Sequence, residues 1–352
     1  MRCRWRLQLL LLSLSLAAVA GCHREVENVP LETRKISISD RFFDVEALSE
    51  TKAIVVGYGG KILTTNDGGR SWEVLPSGTD EALYSVHFVD ANDGWISGQD
   101  GLILHTDDGG KTWRKQVTGT SLYLFAISFL DRERGWAVGD RATMLHTKDG
   151  GQHWAIQKLA QTKGLTAEEA IASQDPVLYD VYFLDEQNGW VVGEFGKIYH
   201  TSDGGKTFVE QEESLLGHGV FDVLDIPTFF GVRFRNPQEG TTAGLDGKIA
   251  RTRDGGTTWR FDPIKVEYPL IDPLFTTVPL SDGGAWAVGA AGEVLRLDPG
   301  ATEWHRAKLG MEVFTWLRSV DFFNPNSGWI VGGYGLILHT TDGGKSWLPA
   351  LG

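Results

Sequence analysis

The sequence predicts an all-β fold, a seven-bladed β-propeller of four-stranded antiparallel blades, and three observations predict it. A short unit recurs as TNDGGRSW (65–72), TDDGGKTW (106–113), TKDGGQHW (147–154), TSDGGKTF (201–208), TRDGGTTW (252–259) and TTDGGKSW (340–347), with a worn copy at LDPGATEW (297–304). The aspartates Asp67, Asp108, Asp149, Asp203, Asp254, Asp298 and Asp342 lie 41, 41, 54, 51, 44 and 44 residues apart, a period that marks a repeat architecture. Between the units run short apolar segments separated by turn signals, with almost no helical periodicity. Finally, of 13 tryptophans, six close a unit or its worn copy and five open a strand at a fixed place before it. Bulky side chains at fixed places in every sheet are what sheets need to pack face to face around an axis.

The chain opens with Arg2, Arg4 and Arg6, an apolar run from Leu9 to Ala20, and Val19-Ala20-Gly21-Cys22. The run is too short to span a membrane and reads as an export signal, residues 1–21. Small residues ending in Cys resemble the bacterial lipobox, and that resemblance implies cleavage before Cys22 and lipid on its thiol. Cys3 leaves with the signal, so the mature chain has no second cysteine and no internal disulfide. Removing the three arginines leaves 30 basic against 46 acidic residues, a formal charge of −16, which argues against a nucleic-acid partner. Residues 22–41 read as a polar, lipid-anchored linker, in which Ile36 and Ile38 have the alternation of a short strand that would help close the ring.

The propeller is expected over 42–352. Units open with alternating strands such as LYSVHF (83–88), LFAISF (124–129), LYDVYF (178–183), FFGVRF (229–234) and LRSVDF (317–322). A polar turn leads to a second strand headed by Trp95, Trp136, Trp190, Trp286 or Trp329 and ending in Gly. A tight turn, a third strand such as LILH, the Asp-Gly-Gly turn and a last strand complete each unit. Asp-Gly-Gly is turn chemistry: the glycines accept positive φ, and the carboxylate takes N–H groups of its own loop. Each copy has one fixed acid where a calcium loop supplies several, so Asp67, Asp108, Asp149, Asp203, Asp254 and Asp342 read as structural and no metal or cofactor is expected. His105, His146, His200 and His339 precede the unit at one place per blade and read as structural too.

The unit resembles the Asp-box, or bacterial neuraminidase, repeat; five copies match it fully, and the third carries His153 at the Ser/Thr place. The segments GWISGQDGLILHT (94–106) and GWIVGGYGLILHT (328–340) extend the likeness to the photosystem II stability/assembly factor family. That resemblance implies a lipid-anchored propeller on the extracytoplasmic side of a bacterial membrane, binding a membrane protein or assembly intermediate.

Antiparallel order puts the second turns and the blade-to-blade connections at one end of the disc. The three long insertions, 155–177, 209–228 and 260–275, are all such connections, and Thr166-Ala167-Glu168-Glu169 has the spacing of a helix start. Aromatic tips plus long loops on one side of a rigid disc point to a recognition face, with Tyr58, Arg141, Phe195 and Tyr334 as partner contacts. Arg233 and Arg235, two apart on a first strand, are expected to face the channel together and grip a carboxylate, or else to pair with local acids. The sialidase reading lacks its Arg-Ile-Pro segment, the nearest text being Asp225-Ile226-Pro227. No spacing singles out a pair of catalytic acids. The expectation is a non-catalytic, monomeric binding protein, with a carbohydrate-active propeller or a scaffold of a non-photosynthetic envelope complex as alternatives.

Overall fold

The computed structural model describes residues 35–157, 159, 175–211, 215 and 227–350. Cys22, the Thr166–Glu169 stretch and most of the first two insertions lie outside the described residues. Seven antiparallel sheets follow one another along the chain, each formed by consecutive strands in up-and-down order. Blade 1 consists of Phe42–Ala47, Ala53–Gly57, Ile62–Thr65 and Glu73–Leu75. The inner strands of blades 2 to 7 are Leu83–Phe88, Leu124–Phe129, Leu178–Phe183, Phe229–Phe234, Leu274–Pro279 and Leu317–Asn324. Each inner strand lies beside those of its two neighbours, and that of blade 7 beside that of blade 1, so the sheets close into a seven-bladed propeller.

The hydrophobic core is divided into seven slabs, one at each blade interface. Between blades 2 and 3, for example, Trp95 and Ile103 meet Leu124, Ile127 and Phe129. A blade in the middle of such a stack is covered on both faces, so its second strand is buried at every position (GWISG, GWAVG, GWVVG) rather than at alternate ones. The slab joining blades 7 and 1 is built the same way, with Trp329 and Val331 against Val45, Val55 and Trp72.

The Asp-Gly-Gly turns repeat one hydrogen-bond pattern. Thr106 Oγ1 donates to Asp108 Oδ1 at 2.8 Å and accepts the Gly110 N–H at 2.9 Å. Asp108 Oδ1 accepts the Thr112 N–H at 2.9 Å, and Oδ2 accepts the Thr112 hydroxyl at 2.6 Å. In the third copy His153 Nδ1 lies 2.7 Å from Asp149 Oδ2, so the ring nitrogen stands in for the missing hydroxyl.

Two expectations change. Residues 36–40 form a turn rather than a strand: the Gly335 N–H donates to the Asp40 carbonyl at 2.8 Å, and Lys61 pairs with Asp40 at 3.1 Å, so this stretch straps blade 7 to blade 1. Ile36 packs on the core slab there while Ile38 is exposed. In the third insertion Ile264–Lys265 pairs parallel to Trp304–Arg306, making blade 6 five-stranded.

Candidate functional site

The end of the disc where the second turns gather is built from one irregularity repeated in each blade. Every inner strand has a β-bulge at its second residue, opposite the glycine that ends the second strand. A Cβ on that glycine would lie 1.7 Å from the Tyr123 carbonyl oxygen at Gly139 and 2.1 Å from that of Trp316 at Gly332, so only glycine lets the bulge form. A bulge re-aims the extra side chain. Here the extra residues are Phe43, Tyr84, Phe125, Tyr179, Phe230, Phe275 and Arg318; six of them line one small space at the axis, and Phe275 lies between Phe230 and Arg318.

Successive rings touch: Phe43–Tyr84 centroids are 5.5 Å apart, Tyr84–Phe125 5.3 Å, Phe125–Tyr179 5.7 Å, Tyr179–Phe230 4.9 Å and Phe230–Phe275 5.7 Å. Arg318 lies 5.3 Å over Phe275, and Trp316 stacks on Phe43 at 5.8 Å, which completes the circle. Arg318 makes no ion pair among the described residues, and burial pushes its guanidinium below the usual range. Burial likewise pushes the Tyr84 hydroxyl up to about 12, keeping it a neutral donor. Only about 30 Å³ remains among the rings and the Asp44, Asp180 and Arg233 side chains, so the collar closes the axis here as a platform.

Below the collar a chamber of about 230 Å³ is lined by Glu46, His87, Tyr182, Arg233 and Asp321 among others. An innermost strand has a free edge whose N–H groups need acceptors. Acids of the chamber and of the collar's underside supply them: Val86 N–H donates to Asp44, Val232 N–H to Asp180, and Ala47 N–H to Asp321, at 2.8–2.9 Å. Burial, with Asp321 and Asp44 alongside, pushes Glu46 well above the usual carboxylate range. Burial also lowers His87 to about 4, leaving a neutral ring with Nε2 2.9 Å from the Phe129 carbonyl.

The sequence candidates fall into three places. Phe195 and Tyr334 sit at the tips of second turns on the platform side, 47% and 67% exposed, with φ of 56° and 58°. Arg141 is exposed at the matching tip of blade 3, with φ of 52°. Tyr58 is not itself a tip: the left-handed residue of blade 1 is Gly59, and Tyr58 stands before it with the Arg41 guanidinium 5.6 Å over its ring. Tyr268, Ile271 and Phe314, exposed on the later connections, share this end of the disc. Arg233 and Arg235 do not face the channel together; each pairs with a local acid, the second of the two expectations. Arg233 faces the chamber and pairs with Asp180, whereas the strand ends at Phe234, so Arg235 lies in the turn and pairs with Glu239 at the other end of the disc. Residue-by-residue reading missed the collar. Aligning the repeats exposes it as an aromatic column at the second place of six first strands.

The profile of the family described as "Photosynthesis system II assembly factor YCF48" matches residues 23–122, 115–175 and 285–350. The "Photosystem II assembly lipoprotein Ycf48" of Trichormus variabilis is 28% identical over 163 residues, 44% of this chain; the match spans 42% of the relative's own length. The solved structure "YCF48 bound to D1 peptide" shares the fold with a TM-score of 0.66 at 19% identity, over 87% of this chain and 93% of that one. A GH74 xyloglucanase from Xanthomonas campestris has a TM-score of 0.70 at 12% identity, over 90% of this chain and 55% of that one.

Proposed function

The chain belongs to the photosynthesis system II assembly factor YCF48 family, and from that premise we propose that it is a non-catalytic assembly factor that holds a segment of a membrane protein on its aromatic platform. In this reading the chain is exported, and lipid on Cys22 tethers it to the extracytoplasmic side of a bacterial membrane, beside its partner.

The observation that carries the reading is the coincidence, at one end of the disc, of the collar with strained, exposed aromatic tips. A bulky residue at positive φ costs about 1 kcal/mol relative to glycine. Phe195 and Tyr334 bear that cost without being buried in return. Strain kept at an exposed aromatic position fits a binding role better than a folding one. That a relative has been solved with a D1 peptide supports the same class of partner. The chamber acids, engaged with the backbone of the next blade, favour a structural over a glycosidic role.

The test replaces the tips together: Tyr58→Ser, Arg141→Ser, Phe195→Gly and Tyr334→Gly. Capture of a newly made membrane protein by the lipid-anchored chain is expected to fall about tenfold or more, while thermal stability holds or rises by about 1 kcal/mol as the strain is relieved. Undiminished capture by the folded variant, or hydrolysis of xyloglucan by the purified protein, overturns the proposal.

A further inference from the structure

The interface between blades 5 and 6 lacks the aromatic wedge that four of the other interfaces have. Trp95 stacks on Phe129 of the next blade at 3.6 Å, Trp136 on Phe183 at 3.6 Å, Trp190 on Phe234 at 3.4 Å and Trp286 on Phe322 at 5.8 Å. The second glycine of the next Asp-Gly-Gly turn lies against the same indole: a Cβ on Gly205 would meet Trp136 at 2.8 Å, and one on Gly344 would meet Trp286 at 2.1 Å. Blade 5 has Thr241 at the tryptophan place, paired with Arg233 and Arg251 as Trp190 is paired with Tyr182 and His200. Across from it, blade 6 has Pro279 at the phenylalanine place and Ala301 at the second-glycine place.

The three departures meet at one spot and leave a cavity of about 350 Å³. Loss of the tryptophan alone does not explain the space. Blade 1 also lacks it, yet Ile54 fills the slot closely enough that a Cβ on Gly110 would lie 2.9 Å from Ile54 Cδ1. Pro279, Ala285, Leu297 and Ala301 give the cavity apolar walls, and Arg235, Arg251 and Arg253 border it. Arg235 pairs with Glu239 and Arg251 with Asp262, whereas Arg253 makes no ion pair among the described residues, leaving one guanidinium for a ligand.

The neighbouring blades show how a planar group would lie there. Where Arg251 stands, His200 stacks on Trp190 at 4.7 Å and His339 on Trp329 at 3.8 Å; in blade 6 the Arg296 guanidinium lies 5.2 Å over Trp286. We propose that the cleft between blades 5 and 6 binds a small planar aromatic carboxylate, its ring in the vacant indole slot against Arg251 and its carboxylate on Arg253. A guanidinium offers a flat face to a ring and a bidentate edge to a carboxylate. The cleft opens at the Asp-Gly-Gly end of the disc, away from the platform, so this inference stands independently of the proposed function.

Calorimetric titration of the full chain with 2-naphthoate tests it. The expected result is a Kd of about 1 mM or tighter, at least about tenfold weaker for acetate or 2-naphthamide. Arg253→Ala, at an exposed position, is expected to weaken 2-naphthoate about tenfold at unchanged Tm. Thr241→Trp with Ala301→Gly refills the slot and is expected to abolish binding while raising Tm. No binding at millimolar naphthoate, or equal binding by Arg253→Ala or by the refilled protein, overturns the proposal. If the refilled chain does not fold, the ligand series and Arg253→Ala decide.

Discussion

At the residue scale, titration separates two populations of carboxylate. The Ser71 hydroxyl and N–H hold Asp67 at about 2, against an ordinary 3.8, and the Thr112, Thr207 and Ser346 groups do the same for Asp108, Asp203 and Asp342. A depressed acid contributes its stability in full above its unfolded pKa and loses it as pH falls through the folded one, here between about 4 and 2. Glu46 is raised well above 4.5, and Asp44 and Asp321 are raised from 3.8, chiefly by burial. For these the folded state holds the proton more tightly, so stability falls as pH rises through the folded pKa. As pH drops from 7 towards about 4 these acids therefore add stability, while His87, which burial lowers to about 4, and His105, His146, His200 and His339, also lowered by burial, subtract it; below about 4 Tm is expected to fall steeply towards 2. Glu46→Gln should remove part of the gain between pH 7 and 4, so that its Tm relative to the parent chain falls as pH drops, and Asp108→Asn should blunt the loss below 4, as followed by thermal melts across pH. A Glu46→Gln profile parallel to the parent's between pH 7 and 4, or an Asp108→Asn profile parallel to it below 4, would show that the corresponding population carries no weight.

At the element scale, the second strand depends on what lies beneath its first residue. A Cβ on Gly135 would lie 2.4 Å from the Phe129 ring, and one on Gly94 2.6 Å from the Phe88 ring. Blade 6 has Pro279 in place of that phenylalanine, and there alanine, Ala285, is accommodated. Gly135→Ala is expected to cost about 1–3 kcal/mol in chemical denaturation through overpacking, whereas Ala285→Gly should cost no more than about 1 kcal/mol of strand entropy. Equal costs would mean that the ring does not set the residue. The glycine heading these strands was visible in the sequence; its reason was not, because the phenyl ring that demands it lies on the neighbouring strand.

At the scale of the whole molecule, the ring closes without a shared strand: blade 7 takes all its strands from the end of the chain. Closure falls to the strap at residues 36–40 and to side chains, with Ala47 N–H donating to Asp321 at 2.8 Å, the Ser319 hydroxyl donating to Asp44 at 2.7 Å, and Trp329 packed edge-on to Trp72 at 5.6 Å. Trp329 and Trp136 are both buried between blades, one at the seam and one far from it. Each alanine replacement is expected to cost about 3–5 kcal/mol, alike within about 1 kcal/mol. A markedly smaller loss at Trp329 in equilibrium unfolding would identify the seam as the ring's weak point.

The sequence by itself determined the number of blades, the strand order and the end of the disc where tips and connections gather, because each of these follows from a period and from antiparallel order along the chain. It also displayed the outlying residues Thr241, Pro279 and Ala301 as departures from the repeat. Only the tertiary structure decided that these three meet in one cavity and that Arg233 and Arg235 part company at the strand end. It alone turned Phe43, Tyr84 and their counterparts inward as a collar. Contacts between blades join residues some forty positions apart, and a bulge reverses the facing that strict alternation assigns, so neither can be read from local pattern.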